Sequence, residues 1–150
     1  MNQRMIFLFA AILSISSFGF SQSRGLGVGV EFGMPTGLSV KAWTSSSGAV
    51  QFGYGWYHTA TGGSTYITGE YLWHAMHVIR SAERFPLYAG IGGVLSTGSP
   101  STFGARGIFG MAWLSRSAPV DIFVQITPTL YFSPSSSFEF DAAAGIRYFF

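Results

Sequence analysis

The stretch Phe138-Glu139-Phe140-Asp141-Ala142-Ala143-Ala144-Gly145-Ile146-Arg147-Tyr148-Phe149-Phe150 alternates over most of its length. Phe138, Phe140, Ala142, Ala144, Ile146, Tyr148 and Phe150 share one parity, while Glu139, Asp141, Ala143, Gly145 and Arg147 share the other. A strand turns successive side chains to opposite faces, so one face of this segment is wholly apolar and the other carries every charge. In a soluble sheet protein the apolar face would be the core. How much weight the pattern carries depends on whether earlier segments repeat it.

They do. Working back from residue 138, seven more alternating segments run approximately Val120–Phe132, Thr102–Leu114, Phe85–Leu95, Thr65–Val78, Ala49–Tyr57, Gly37–Thr44 and Leu26–Gly33. Turn-forming clusters separate them, such as Met34-Pro35-Thr36, Ser45-Ser46-Ser47-Gly48, Thr61-Gly62-Gly63-Ser64, Gly98-Ser99-Pro100-Ser101 and Ser133-Pro134-Ser135-Ser136-Ser137. No segment reads as a helix of useful length. The expectation is an all-β, eight-stranded antiparallel up-and-down barrel over residues 24–150.

Residues 1–21 read differently. Arg4 precedes an apolar run from Met5 to Leu13, followed by the small residues Ser14, Ser16, Ser17, Gly19 and Ser21. This is the layout of a secretory signal peptide with cleavage near residues 21–23. The run is too short to span a ~30 Å hydrocarbon core as a helix, which takes about 20 residues. No cysteine is present, which excludes disulfides, thiolate metal sites and a lipidated cysteine. Charged residues make up only 9% of the chain and mean hydropathy is +0.35, high for a protein exported into water. The charge excess of 8 Lys+Arg over 6 Asp+Glu is too small to indicate nucleic-acid binding.

The two parities segregate sharply. Val28, Val30, Phe52, Tyr54, Trp56, Ile67, Tyr71, Trp73, Ile91, Phe109, Trp113, Ile122, Val124 and Ile126 belong to the apolar one. Glu31, Lys41, Glu70, Arg106, Asp121, Glu139, Asp141 and Arg147 all belong to the other, together with Gly27, Gly29, Gly53, Gly55, Gly90, Gly92, Gly104, Gly110 and Gly145. Glycines beside the charges suit a narrow lumen that must accommodate long ionic side chains. Bulky aromatics on the opposite face suit lipid and headgroup belts. The charges are expected to pair and close the lumen, with Asp121 and Arg147 on neighbouring strands as the best single pair.

With both termini periplasmic, strand direction alternates, and Phe32, Trp56, Phe103 and Phe138 mark the outer rim. Trp73, Trp113, Tyr148 and Phe150 then mark the inner one. Arg80, Glu83, Arg84 and Arg116 fall at periplasmic turns, leaving the outer loops uncharged.

Catalytic and metal chemistry find little support. His74 and His77, three residues apart on a strand, point to opposite faces and cannot share an ion. Gly90-Ile91-Gly92-Gly93 lacks the following helix of a phosphate-binding loop. A serine nucleophile activated by His58, with Ser64 or Ser101, has no carboxylate on the outward face to orient the imidazole. The expectation is no enzyme activity, no cofactor and no metal.

The terminal aromatic Phe150, with Tyr148, Ile146 and Ala144 at alternate positions and a nearby Gly145, resembles the closing strand of bacterial outer-membrane barrels. Ala143 departs from that pattern, where a polar residue is usual. Together with the leader and the eight segments, the chain is similar to small outer-membrane barrels of the OmpA/OmpX type. The resemblance implies outer-membrane localisation, contact with outer-membrane lipid, insertion by the barrel assembly machinery guided by Gly145, Ile146, Tyr148 and Phe150, and a monomer. It implies a structural or surface-interaction role. Two alternatives are a lipid-modifying outer-membrane enzyme and a secreted ligand-binding barrel of avidin or lipocalin type.

Overall fold

Alternation at period two, with Val, Ile, Phe, Tyr and Trp on one parity, is a pattern that a helix cannot segregate and a strand can. The structure, a computed structural model, describes residues 25–33, 36–59, 62–76, 84–98, 101–115, 117–133 and 135–150, with backbone only for 57–59. The expected leader over residues 1–21 lies outside the described residues. Among the described residues there are eight strands: β1 Leu26–Gly33, β2 Gly37–Trp43, β3 Gly48–Thr59, β4 Gly62–Ala75, β5 Leu87–Thr97, β6 Thr102–Leu114, β7 Val120–Ser133 and β8 Ser137–Phe149. Each pairs antiparallel with its neighbours in sequence, and β1 pairs with β8, closing the sheet into a barrel. Closure leaves no strand edge free to recruit another chain over the length of β1.

An even number of strands returns the chain to its starting end, where Gly27 lies opposite Phe149 and the Phe150 amide donates to the Leu26 carbonyl at 2.9 Å. We call this the terminal end and the opposite one the distal end. At the terminal end the turn 44–47 is held by the Thr44 amide on the Gly48 carbonyl at 2.9 Å and by the Gly48 amide on Ser45 Oγ at 2.8 Å. The segment before β5 adds a further bridge, with the Leu114 amide donating to the Arg84 carbonyl at 2.8 Å.

Several details differ from the sequence reading, among them β5, which spans Leu87–Thr97 in place of the expected Phe85–Leu95. The β3–β4 hairpin is tighter, since the ladder continues to Thr59 opposite Gly62, and Gly62 adopts a φ of +148° that an L side chain rarely tolerates. β4 accordingly spans Gly62–Ala75 in place of the expected Thr65–Val78, whose residues 77 and 78 lie outside the described residues. In β7, Phe132 has no partner between Tyr131 opposite Gly104 and Ser133 opposite Phe103, which makes it a bulge at the distal rim. The same ladder is also interrupted at Pro128, which has no amide to donate.

The barrel is inverted relative to a soluble one. Phe52, Tyr54, Trp56, Ile67, Trp73, Ile91, Phe109, Val124, Ile126, Phe140, Ile146 and Tyr148 are exposed on its outer face. Glu31, Lys41, Glu70, Arg106, Asp121 and Arg147 are buried inside it. Aromatic pairs stand at both ends of the outer face: Tyr71–Trp73 and Tyr148–Phe150 at the terminal end, Tyr54–Trp56 and Phe103–Phe132 at the distal end.

Candidate functional site: the lumen

Inward side chains of the terminal half pack tightly. Trp43 on β2, Leu72 on β4, Tyr88 on β5, Ile108 and Leu114 on β6, Phe123 on β7 and Phe149 on β8 form one buried cluster. The inward glycines explain how large rings fit in so narrow a barrel. A side chain at Gly27 would meet the Phe149 ring at 2.6 Å, one at Gly145 the Phe123 ring at 2.6 Å, and one at Gly110 the Tyr88 ring at 2.5 Å. The expectation that these glycines make room for ionic side chains therefore needs correcting. Three of them, Gly27, Gly110 and Gly145, seat rings, Gly53 lies beside Glu31 and Gly92 beside Glu70, and Gly29 and Gly104 face the backbone of the neighbouring strand.

Cations lie on the faces of those rings. Lys41 Nζ is 4.4 Å from the Trp43 ring centre, and the Arg147 guanidinium carbon is 4.0 Å from that of Phe123. With the ammonium and guanidinium withdrawn from water, the ring quadrupoles recover part of the lost solvation.

A continuous polar chain threads this packing. Arg106 Nε lies 3.4 Å from Glu70 Oε1, an ion pair without hydrogen-bond geometry. Gln51 Nε2 donates to Glu70 Oε2 at 3.2 Å, and Gln51 Oε1 accepts from Arg147 NH1 at 2.6 Å. Arg147 Nε donates to Asp121 Oδ1 at 3.0 Å, and Asp121 Oδ2 stands 3.8 Å from Lys41 Nζ. Lys41 Nζ is 2.8 Å from His74 Nε2, whose Nδ1 is 3.1 Å from the Ser47 carbonyl in the turn below. His74 itself sits between Trp43 and Tyr88, with ring centres 4.5 and 5.2 Å away. Six strands are tied together: β6, β4, β3, β8, β7 and β2.

Of the eight charges expected in the lumen, the structure joins five: Lys41, Glu70, Arg106, Asp121 and Arg147. The remaining three stand apart. Glu139 is exposed and Asp141 half-buried, and neither forms an ion pair with a described residue; the expected closure of the lumen by all eight is corrected accordingly. Their position is the cause, since β8 carries both toward the distal mouth, opposite Thr129 and Thr127. Glu31 is 3% exposed and makes no salt bridge with a described residue, but it lies within electrostatic range of Arg106, Arg147 and Glu70.

Gln51, Ser39 and His74 were missed as members of the network, as were the inward rings. One signal was present in the sequence: on the charged parity, the large residues Trp43, Leu72, Tyr88, Leu114 and Phe149 all fall near the terminal end of their strands.

Gly145, Ile146 and Tyr148 lie in the final residues of β8 and Phe150 follows it, with Ile146 and Tyr148 outward and Gly145 inward against Phe123. Ser101 Oγ donates to the Gly98 carbonyl at 3.4 Å, and Ser64 pairs with Tyr57 across the hairpin. The His58 side chain and His77 lie outside the described residues, as do Arg80, Glu83 and Arg116.

The class so defined is a closed eight-stranded antiparallel up-and-down barrel with an apolar exterior and an ionic, ring-packed interior. No protein-family model, curated protein or solved structure matches the chain.

Proposed function

We propose that this protein is an integral barrel of the bacterial outer membrane, a monomer inserted by the barrel assembly machinery, with both termini periplasmic and a structural or surface-interaction role. One observation carries the reading: the outward face is apolar around the whole barrel while the buried charges lie inside. A soluble monomer seldom exposes an apolar patch beyond about 300–600 Å². Here the exposed apolar side chains extend over all eight strands, and lipid is the solvent that stabilises such a surface. The aromatic pairs at both rims suit the two interfacial girdles. A depression of about 650 Å³ between Phe32, Phe109, Val124 and the small Ala142 and Ala144 would be filled by acyl chains.

The packed terminal half supports a closed lumen and argues against a transport pore. Eight strands leave an interior that side chains can fill. The test is extraction and spectroscopy. Mature protein should require detergent or lipid for β-rich circular dichroism and should change gel mobility on boiling. Recovery as a detergent-free soluble monomer overturns the reading and favours an exported ligand-binding barrel.

A further inference from the structure

We propose that the distal part of β8 is a strand-addition site, where an extended peptide alternating basic and apolar residues pairs with an open edge at Phe138 and Phe140. Placing that edge on the outer surface of the cell rests on the orientation proposed above; the edge itself does not.

The barrel is closed only as far as β1 reaches. β1 pairs with β8 from Gly27 opposite Phe149 to Gly33 opposite Ala143. The chain then reverses, with the Gly33 amide donating to Thr36 Oγ1 at 3.1 Å and that hydroxyl to the Gly33 carbonyl at 2.9 Å, and Gly37 already stands opposite Glu31. β8 continues distally through residues 137–142, which pair with β7 but with no described residue on the β1 side. Across the β1–β2 hairpin β3 does the same: the Trp56 amide still reaches the Thr36 carbonyl at 3.2 Å, and residues 57–59 then pair with β4 alone. Above the short hairpin, β8 and β3 are three strand spacings apart, about 14 Å at about 4.8 Å each, which is room for an added strand.

The backbone of β8 aims at that space. The Phe149 amide donates to the Pro119 carbonyl on the β7 side at 2.7 Å, and the Phe150 amide to the Leu26 carbonyl on the β1 side at 2.9 Å. Amides along a strand alternate in direction, and β8 has no register shift, so the amides and carbonyls of Phe138 and Phe140 face the β1 side, beyond the end of β1. Exposure agrees. The terminal half of β8 alternates buried and exposed, whereas residues 137–140 are exposed on both parities, with Phe138 at 66% and Phe140 at 64%. An unpaired strand edge is not tolerated in hydrocarbon, so this one stands where water, and a partner in water, can reach it.

The side chains select the occupant. Glu139 and Asp141 flank the edge on the inner parity, and neither forms a salt bridge with a described residue. Two β8 edges paired antiparallel would set carboxylate beside carboxylate, which disfavours a second copy of this chain. An added strand with Lys or Arg opposite Glu139 and Asp141, and with β-branched or aromatic residues opposite Phe138 and Phe140, matches both faces. Main-chain hydrogen bonds then supply affinity and the alternate side chains supply selectivity.

The experiment is fluorescence-anisotropy titration of the folded full barrel, in non-ionic detergent, into a dye-labelled Lys-Val-Lys-Val-Lys-Val peptide. The comparison peptides are its Glu-for-Lys counterpart and the same basic peptide N-methylated at alternate residues, which keeps the charge and removes the backbone donors. The basic peptide should bind saturably and the other two should not. Phe140→Pro deletes an edge amide without touching the β7 ladder and should abolish binding, while Phe140→Leu should retain it. Glu139→Lys should weaken it by about fivefold or more. Phe138→Pro, at the start of the strand, makes the same test if Phe140→Pro does not fold. No saturable binding of the basic peptide overturns the proposal. Equal binding of the N-methylated peptide, or unchanged binding by the folded proline variants, also overturns it, since the contact would then be ionic alone. Loss in Phe140→Leu overturns it by tracing the effect to the ring, and barrel dimers crosslinked through β8 overturn it in favour of a second copy. Should the barrel prove soluble without detergent, the membrane reading falls while this titration still reports on the edge.

Discussion

Asp121 is the residue on which the interior most depends. Its two oxygens serve two cations, Arg147 at 3.0 Å and Lys41 at 3.8 Å, and all three side chains are removed from solvent. Asp121→Ala would strand both cations, and removing one partner of a buried pair typically costs about 3–5 kcal/mol. Urea unfolding in lipid should show that loss, and Arg147→Met in the same background should return part of it. A loss below about 1 kcal/mol would mean that water screens the lumen as it does a surface pair. A second prediction concerns the ring sockets. At Gly145 a new Cβ would meet the Phe123 ring at 2.6 Å and the Val30 carbonyl of β1, so Gly145→Ala should destabilise by about 1–3 kcal/mol. Gly93→Ala, whose Cβ would meet only the Gly104 carbonyl at 3.6 Å, is the control, and equal effects would show that Gly145 is not a socket.

Along single strands the alternation was legible to within a few residues, because period two is a local property that needs no knowledge of neighbours. β1 and β6 begin and end where the pattern does. The largest shift is in β4, where a run of Gly, Ser and Thr reads as a turn but continues the ladder as far as Gly62 opposite Thr59. β7 offers the clearest test of what surrounds the barrel. Val124 is outward and half-exposed in the first half of the strand, opposite Ala144 and Met111. Val124→Arg should cost about 2–4 kcal/mol in a bilayer if that position faces the midplane. A change within about 0.5 kcal/mol would show that the face meets water. Gln125 is a poor comparison despite facing inward, since it is buried and accepts the Tyr88 hydroxyl at 3.0 Å.

For the whole molecule, the terminal half of the lumen carries the mechanical consequence. Among the described residues, rings seated on glycines and a polar chain linking six strands fill that half of the lumen. Reconstituted in planar bilayers, the unmodified barrel should pass no steady current of porin size. Phe123→Ala combined with Phe149→Ala, which removes two of the seated rings, is the variant expected to leak. Large, stable steps from the unmodified protein would refute the closed lumen and point to transport.

The sequence by itself determined the strand count, the order of pairing, and which parity carries the charges, since all three follow from alternation and turn spacing along the chain. It also sufficed to single out Asp121 and Arg147, because adjacent antiparallel strands joined by a short turn have a register that can be counted. Only the tertiary structure decided what meets across the lumen. Lys41 reaching Asp121, Arg147 reaching Gln51, and Phe149 seated on Gly27 depend on barrel closure and on the stagger of strands around it, which fix depth and azimuth for residues far apart in the chain. The same stagger carries Glu139 and Asp141 toward the distal end and leaves Glu31 buried within range of Arg106 and Arg147, a difference that parity, identical for all three, does not contain.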